Sequence, residues 1–307
     1  MELSLRRLRI LREVAHHGGV TVAAREMHYS PSGISQQMAA LEQDIGAPVL
    51  ERRGRGIVLT EVGRVLLGHA EILLAAERDA QAAVEQVRDT LAVELTVGVF
   101  STVAAGLMPG IIRDLAQCHP DIRLRTREID PDDAGIELRH GHLDLAFLID
   151  YPNATEPWAP GITIIPAMHD ELHIAAPAGH FPTAKVRLAD LADQDWVMSG
   201  PQTYYGRAVR YACRQAGFDI RITHQVDEQA TALAMVAAGL GITLMSELGR
   251  VFLPNAGIHV LDLTRPLRRQ LLVAHHDASA GRPAIKAFLE SVARVASRHR
   301  SRTSPKV

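Results

Sequence analysis

The chain has 307 residues, 47% hydrophobic and only 4% aromatic, so it holds material for two or three domains with cores of Leu, Val, Ile and Ala. Its net charge of −2 excludes a protein that coats nucleic acid indiscriminately, so any nucleic-acid contact must come from a local patch. Two cysteines, Cys118 and Cys213, stand outside any Cys-x-x-Cys pair, which excludes a disulfide framework or zinc finger; both are expected buried and reduced.

The Arg-bearing start, Met1 to Arg12, lacks the apolar region and small-residue cleavage site of a secretory signal. No later run approaches the ~20 apolar residues of a membrane span, so a cytoplasmic protein with no membrane partner is expected. Leu3, Leu5, Leu8, Leu11, Val14 and Ala15 recur at helical spacing until Gly18-Gly19. Thr21 is placed to cap a short second helix, Val22 to Met27, whose Ala23-Ala24 pair admits a close neighbour. Ser30 suits an N-cap and Pro31 the first position of a third helix, where a missing N–H loses nothing. That helix carries Ile34, Met38, Leu41 and Ile45 on one face and Ser32, Ser35, Gln36 and Gln37 on the other, and Gly46 ends it. Two short strands, Val49–Arg52 and Ile57–Thr60, flank the turn Arg53-Gly54-Arg55-Gly56.

A long helix is predicted after Thr60, with a seam through Val62, Val65, Leu66, His69, Ile72, Leu73, Ala76, Ala80, Ala83, Val84 and Val87. An apolar seam flanked by mixed charge favours a packed helix pair. From Glu94 strands alternate with helices: Leu95–Val99, Met108–Ala116, Ile122–Ile129, Leu143–Ile149, Leu172–Ala176, Trp196–Met198, Gly206–Gln215, Arg221–Val226, Ala230–Ala238 and Ile242–Leu244. That alternation predicts an α/β domain with largely parallel pairing. The Arg- and Ser-rich tail after Ser297 is expected to fray.

A helix with an apolar anchor and short polar side chains opposite is the form that enters the DNA major groove, where each base pair shows a distinct donor and acceptor pattern. Gln36 and Gln37 can pair bidentately with adenine, and Ser32 and Ser35 can reach bases or phosphates. Arg52, Arg53 and Arg55 form a wing able to enter the minor groove or grip phosphates. From Met1 to Thr60 eight arginines stand against six acids, and those at 6, 7, 9, 53 and 55 are expected clear of the acid-rich helix end.

The run Ala23-Ala24-Arg25-Glu26-Met27-His28-Tyr29-Ser30-Pro31-Ser32-Gly33-Ile34-Ser35-Gln36-Gln37-Met38, continued by Ala40-Leu41-Glu42-Gln43-Asp44-Ile45-Gly46, resembles the N-terminal signature of LysR-type transcriptional regulators. Arg52, Leu59-Thr60 and Gly63 extend the match. Leu107-Met108-Pro109, Gly141–Ala146 and Val236–Ile242 are similar to the family's effector-binding domain.

The resemblance implies an α/β protein overall. Residues 1–60 would form an all-α winged helix-turn-helix and 61–91 a linker and dimerisation helix. A two-lobed α/β effector domain similar to periplasmic binding proteins would follow, with lobe I from 92–165 and 266–301, lobe II from 166–265, and 302–307 as frayed tail. It implies DNA contacts from Thr21, Ser30, Pro31, Ser32, Ser35, Gln36, Gln37, Arg52, Arg53 and Arg55. Effector contacts are implied for Ser101, Thr102, Asp150, Gly200, Gln202, Thr203, Tyr204, Met245 and Ser246. The implied partners are double-stranded DNA carrying a dyad-symmetric operator, a small-molecule effector, and further copies of the chain as a homodimer or tetramer.

The rival is a solute-binding or enzymatic α/β protein with an appended helical module. His16-His17, His140-x-His142, His275-His276 and Cys118-His119 invite a metal or nucleophile reading, but none has a correctly spaced third ligand or catalytic surround. There is no Walker loop and no Gly-x-Ser-x-Gly elbow. The expectation is therefore no catalytic residue, no metal and no cofactor.

Overall fold

The computed structural model describes residues 3–53, 56–88, 93–152, 158, 161–254 and 256–303. The chain divides into two compact units, Met1–Leu91 with Arg139–His142, and Ala92–Leu138 with Leu143–Val307.

In the first unit, α1 (Leu5–His16), α2 (Val20–Glu26) and α3 (Pro31–Ile45) precede β1 (Leu50–Arg53), β2 (Gly56–Leu59) and the 28-residue α4 (Glu61–Arg88). The apolar stripes of the helices meet in one core containing Leu8, Leu11, Ala23, Ile34, Met38 and Leu41. The start of α3 is fixed locally. Ser30 Oγ accepts the Gly33 N–H at 3.0 Å, Pro31 occupies the first turn, and Gly46 closes the helix in the left-handed region at φ 76°.

Glu42, a turn before that end, accepts the amides of Val49 and Leu50 at 2.9 and 3.2 Å and so ties the helix to β1. Thr60 caps α4 by accepting the Gly63 N–H at 3.0 Å while donating to the Pro48 carbonyl at 2.8 Å. Gly63 is obligatory there, because an added Cβ would lie 2.1 Å from the Val49 carbonyl oxygen.

Two expectations for this unit are corrected. Thr21 is not a cap: α2 begins at Val20, which packs on the core, and the N-cap is Gly19 with no side-chain bond. Thr21 is instead an exposed residue within the helix. The seam of α4 also divides. Leu66 packs against the core beside Ala70, which the seam did not include, whereas Val62, Val65, Ile72, Leu73 and Val84 are exposed. The side chains of Ala83 and Val87 lie outside the described residues.

The second unit contains β3 (Val93–Val99), α5 (Ser101–Gly106), α6 (Met108–Cys118), β4 (Ile122–Glu128), α7 (Ala134–Arg139) and β5 (Leu145–Asp150). There follow β6 (Ile162–Pro177), β7 (Lys185–Val186), β8 (Asp195–Met198), α8 (Tyr204–Gln215), β9 (Arg221–Gln225) and α9 (Gln229–Ala237). The remainder is β10 (Thr243–Ser246), β11 (Ile258–Leu263), β12 (Leu267–His276) and α10 (Pro283–Thr303). The principal sheet runs β4-β3-β5-β12-β6-β11-β7, with β10 also on β6, and β8 and β9 form a separate parallel pair.

Parallel pairing does not dominate as expected. β3 is parallel to β4 and β5, but the centre is antiparallel: β12 to β5, and β6 to β12, β11 and β10. Strands β6 and β12 run antiparallel along the whole length of β12. Strand β6, at 16 residues, is far longer than the five-residue segment expected from its hydrophobic run.

The expected fraying from Ser297 is also corrected. Helix α10 runs to Thr303, with Ala296 buried and Arg294 and Arg298 anchored on Asp114 of α6 at 2.7 and 3.2 Å. Of the residues assigned to the tail, 304–307 lie outside the described residues. Both cysteines are free thiols, but only Cys213 is buried; Cys118, at the end of α6, is exposed.

Candidate functional site

Helix α3 is anchored by buried Ile34, Met38 and Leu41 and turns Ser32, Ser35 and Gln36 outward, with Gln37 half-buried. Ser30 and Pro31 are exposed at its start, and the Ser30 and Ser32 hydroxyls lie 3.1 Å apart. Arg52 is exposed on β1 and Arg53 ends that strand, while Arg55 lies outside the described residues. Arg6 donates to the Tyr29 hydroxyl at 3.1 Å and stacks over its ring.

The expectation that Arg7 stands clear of the acid-rich helix end is corrected, whereas Arg9 finds its acid on another helix. Arg7 pairs with Asp44 at the acid-rich end of α3, and Arg9 pairs with Glu77 of α4 at 2.6 Å. Their charge is compensated by neighbours that sequence spacing did not bring together.

In the second unit a cavity of about 310 Å³ opens at the carboxyl ends of β3, β4, β5, β8 and β9, where the following loops and helix starts converge. This is the place where open α/β sheets present ligand sites, because strand ends fan apart and helix N-termini offer free N–H groups.

Of the nine expected effector contacts, Ser101, Thr102, Thr203, Tyr204 and Ser246 line this cavity. Asp150, Gly200, Gln202 and Met245 are not among its lining residues. Met245 is buried in a separate core with Val197 and Leu233. Asp150 acts at one remove: its carboxylate accepts the Tyr204 hydroxyl at 2.8 Å, and that hydroxyl accepts the Tyr151 N–H at 3.1 Å.

Several cavity groups are already engaged. Ser101 and Thr102 open α5 but do not cap it, the N-cap being Phe100. Thr203 caps α8 by accepting the Gly206 N–H at 3.0 Å, and Ser246 accepts the Gly249 N–H at 3.1 Å. Asp132 accepts the Tyr204 N–H at 3.1 Å, and the Tyr205 hydroxyl donates to the Leu244 carbonyl at 3.2 Å.

Sequence reasoning missed Arg269, which is buried in the lining, donates to Thr102 Oγ1 at 2.8 Å and pairs with Asp170. Its signal was present: two consecutive arginines, Arg268-Arg269, stand just before the apolar run Leu271-Leu272-Val273-Ala274. Tyr151 and Tyr205 were missed as well, since nothing local marks a tyrosine as facing a cavity. Burial pushes both phenols above their ordinary pKa, so they remain neutral hydrogen-bonding groups.

The structure packs His16 edge-on against His17 and His140, with ring centroids 4.7 and 4.8 Å apart, but no group of three or more His, Cys, Asp or Glu among the described residues could hold a metal. On β12, His275 Nδ1 bonds the His276 carbonyl at 2.8 Å and His276 Nδ1 accepts the Ala278 N–H at 3.2 Å, which are local structural roles.

A helical module with an exposed polar third helix, joined to an α/β unit with a ligand-sized cavity, defines a DNA-binding transcriptional regulator with a small-molecule-sensing domain. The chain belongs to the LysR family: residues 5–64 match the model of the bacterial regulatory helix-turn-helix protein, lysR family, and residues 88–297 match the LysR substrate binding domain. The family consists of transcriptional regulators, not enzymes.

Among similar proteins, the RuBisCO operon transcriptional regulator of Allochromatium vinosum is 29% identical over 303 residues, covering 97% of this chain and 98% of the relative. The uncharacterized HTH-type transcriptional regulator YnfL of Escherichia coli K12 is 31% identical over 253 residues, 80% and 82% of the two chains. A full-length OxyR variant from Pseudomonas aeruginosa has a similar fold, with TM-score 0.69, 22% identity and 95% of each chain covered.

Proposed function

We propose that this regulator acts in the cytoplasm as a homodimer, further paired into a tetramer, on a dyad-symmetric operator. Helix α3 enters the major groove, where Gln36 and Gln37 read base edges and Ser30, Ser32, Ser35 and Thr21 bond bases or phosphates. Pro31 fixes the entry of that helix, and Arg52, Arg53 and Arg55 form the wing that grips the backbone or minor groove.

The observation that carries this reading is the division of α3 into a face with Ile34, Met38 and Leu41 buried and a face with Ser32, Ser35 and Gln36 exposed. Pairing through α4 is supported by Val65 and Ile72, which are 58% and 53% exposed in the single chain and two turns apart on one face.

The effector occupies the cavity against Ser101, Thr102, Thr203, Tyr204 and Ser246, with Asp150 acting through the Tyr204 hydroxyl. The two-lobed reading, 92–165 with 266–301 against 166–265, draws support from β6 and β12, the long strands that span both sides of the sheet. A ligand that binds one lobe arrangement better than another shifts the population of arrangements on DNA; a ligand that binds both equally changes nothing.

A gel-shift and footprint on the DNA upstream of its own gene, with scrambled competitor, tests the proposal. A protected dyad-symmetric site that survives competitor is the expected result, and equal loss to any DNA refutes specific recognition. Replacing Arg53 and Arg55 with Ala should flatten the salt dependence of binding by about one unit of slope for each phosphate no longer neutralised.

A further inference from the structure

Three of the chain's five tyrosines, Tyr151, Tyr204 and Tyr205, line one cavity, together with Phe100. In a chain only 4% aromatic this is a concentration of aromatic side chains, and guanidinium groups already lie over two of the rings, Arg207 over Tyr204 and Arg269 over Phe100. The carboxylates Glu128 at the end of β4, Asp130 and Asp132 after it, and Asp227 and Glu228 before α9 line the same space. Arg269 is the one cation among the described lining residues, and Asp170 neutralises it at 2.6 Å.

Glu128, Asp227 and Glu228 are exposed and form no ion pair among the described residues, so they bring unpaired negative charge to the cavity lining. These acids are not gathered closely enough for a metal: no group of His, Cys, Asp and Glu among the described residues could hold one. The Tyr151 hydroxyl is an independent sign of a ligand. Tyr151 is 7% exposed and lines the cavity, and its hydroxyl faces the Arg269 guanidinium without a hydrogen bond of normal geometry. A buried hydroxyl left in that state keeps hydrogen-bonding capacity that a ligand atom can take up.

Dispersed carboxylates beside aromatic rings are the chemistry that recognises an organic cation: the ring quadrupole and the charges attract it together, and rings displace its water at little cost. A carboxylate ligand would face the opposite field, and the only lining guanidinium is already paired. We propose that this cavity takes an organic ammonium compound, its cationic nitrogen among the tyrosine rings and the Glu128, Asp227 and Glu228 carboxylates, and a polar atom at its other end on the Tyr151 hydroxyl. The inference rests on the reading of this cavity as the effector site and names the ligand class. Carboxylates on the β4 side and the α9 side both attract such a cation, so its binding draws the two sides together.

The test is calorimetry and thermal unfolding of the full chain at low ionic strength with tyramine, choline and putrescine, set against 4-hydroxyphenylpropionate, the carboxylate counterpart of tyramine. At least one ammonium probe is expected to bind and raise the midpoint while the carboxylate does not. That affinity should weaken about tenfold in Asp227→Asn/Glu228→Gln, whose exposed positions tolerate the change, and fall with added salt. It should vanish in Ser101→Trp, which puts an indole into the cavity.

Binding of the carboxylate alone, lost in Ser101→Trp, leaves the cavity as effector site and overturns the ammonium inference. Ammonium binding untouched by Ser101→Trp lies elsewhere and overturns both. No response to any ammonium probe at millimolar concentration overturns the inference, while the footprint decides the regulatory reading separately.

Discussion

Arg269 and Asp170 face each other as direct partners on the antiparallel strands β12 and β6, 2.6 Å apart and only 6% and 2% exposed. Arg269 also reaches Thr102 at the start of α5, and the second Asp170 oxygen accepts the Leu248 N–H at 3.2 Å. Burial opposes the charge on Arg269, but the Asp170 carboxylate outweighs it and raises the guanidinium pKa above its ordinary value. Removing one partner leaves the other buried and uncompensated. Asp170→Asn should therefore lower unfolding stability by roughly 3–5 kcal/mol, whereas Arg269→Met with Asp170→Leu should recover most of that loss. Urea unfolding of the three proteins checks this, and a loss below about 1 kcal/mol for the single variant would falsify the account.

Val65 and Ile72 set a second expectation, because exposed apolar side chains at this spacing on a long helix call for a partner. Val65→Glu with Ile72→Glu should convert the dimer to monomer, as charges cannot be buried unpaired in a helix seam. Sedimentation velocity reads the mass directly. An unchanged dimer would place the interface away from this face of α4.

Asp114 links acid sensitivity to packing of α6 on α10. Hydrogen bonds from Arg294 hold its carboxyl below the usual carboxylate range, against the opposing effect of burial and with help from Ser291. A depressed folded pKa contributes stability that is present above the unfolded value near 4 and lost as pH falls through the folded value. Unfolding midpoints measured from pH 6 downward should therefore drop below about pH 4, and Asp114→Asn should make that part of the profile shallower. Identical slopes for the two proteins would rule out this carboxylate as a source of acid lability.

The two thiols should differ in reactivity. Burial pushes Cys213 up to about 12, so at pH 8 it is almost wholly protonated as well as inaccessible. Cys118 is exposed. Iodoacetamide on the native chain should label Cys118 alone, and mass spectrometry that finds equal labelling would contradict the packing of α8.

Much of the first unit was legible because its rules are local. Ser30, Pro31 and Gly46 bound α3 through contacts a few residues apart, and the spacing of Ile34, Met38 and Leu41 named its buried face. Local rules failed at Thr21, where packing of Val20 on the core draws the start of α2 forward, and at Arg7, whose partner Asp44 is 37 residues away. In the cavity, the polar residues at helix starts were foreseen, whereas Arg269 and Tyr151 were not.

The sequence by itself determined the family pattern, the helical module with its polar third helix, and the alternation that makes the remainder α/β. Tertiary structure decided the antiparallel centre of the sheet, the course of α10 to Thr303, and the walls of the cavity. The physical reason is separation along the chain. Capping and amphipathic periodicity act within a turn or two, but the cavity exists only where segments as far apart as Thr102 and Arg269, 167 residues, meet at the ends of strands. No periodicity records which residues meet there, because hydrogen-bonded register and core packing choose them together.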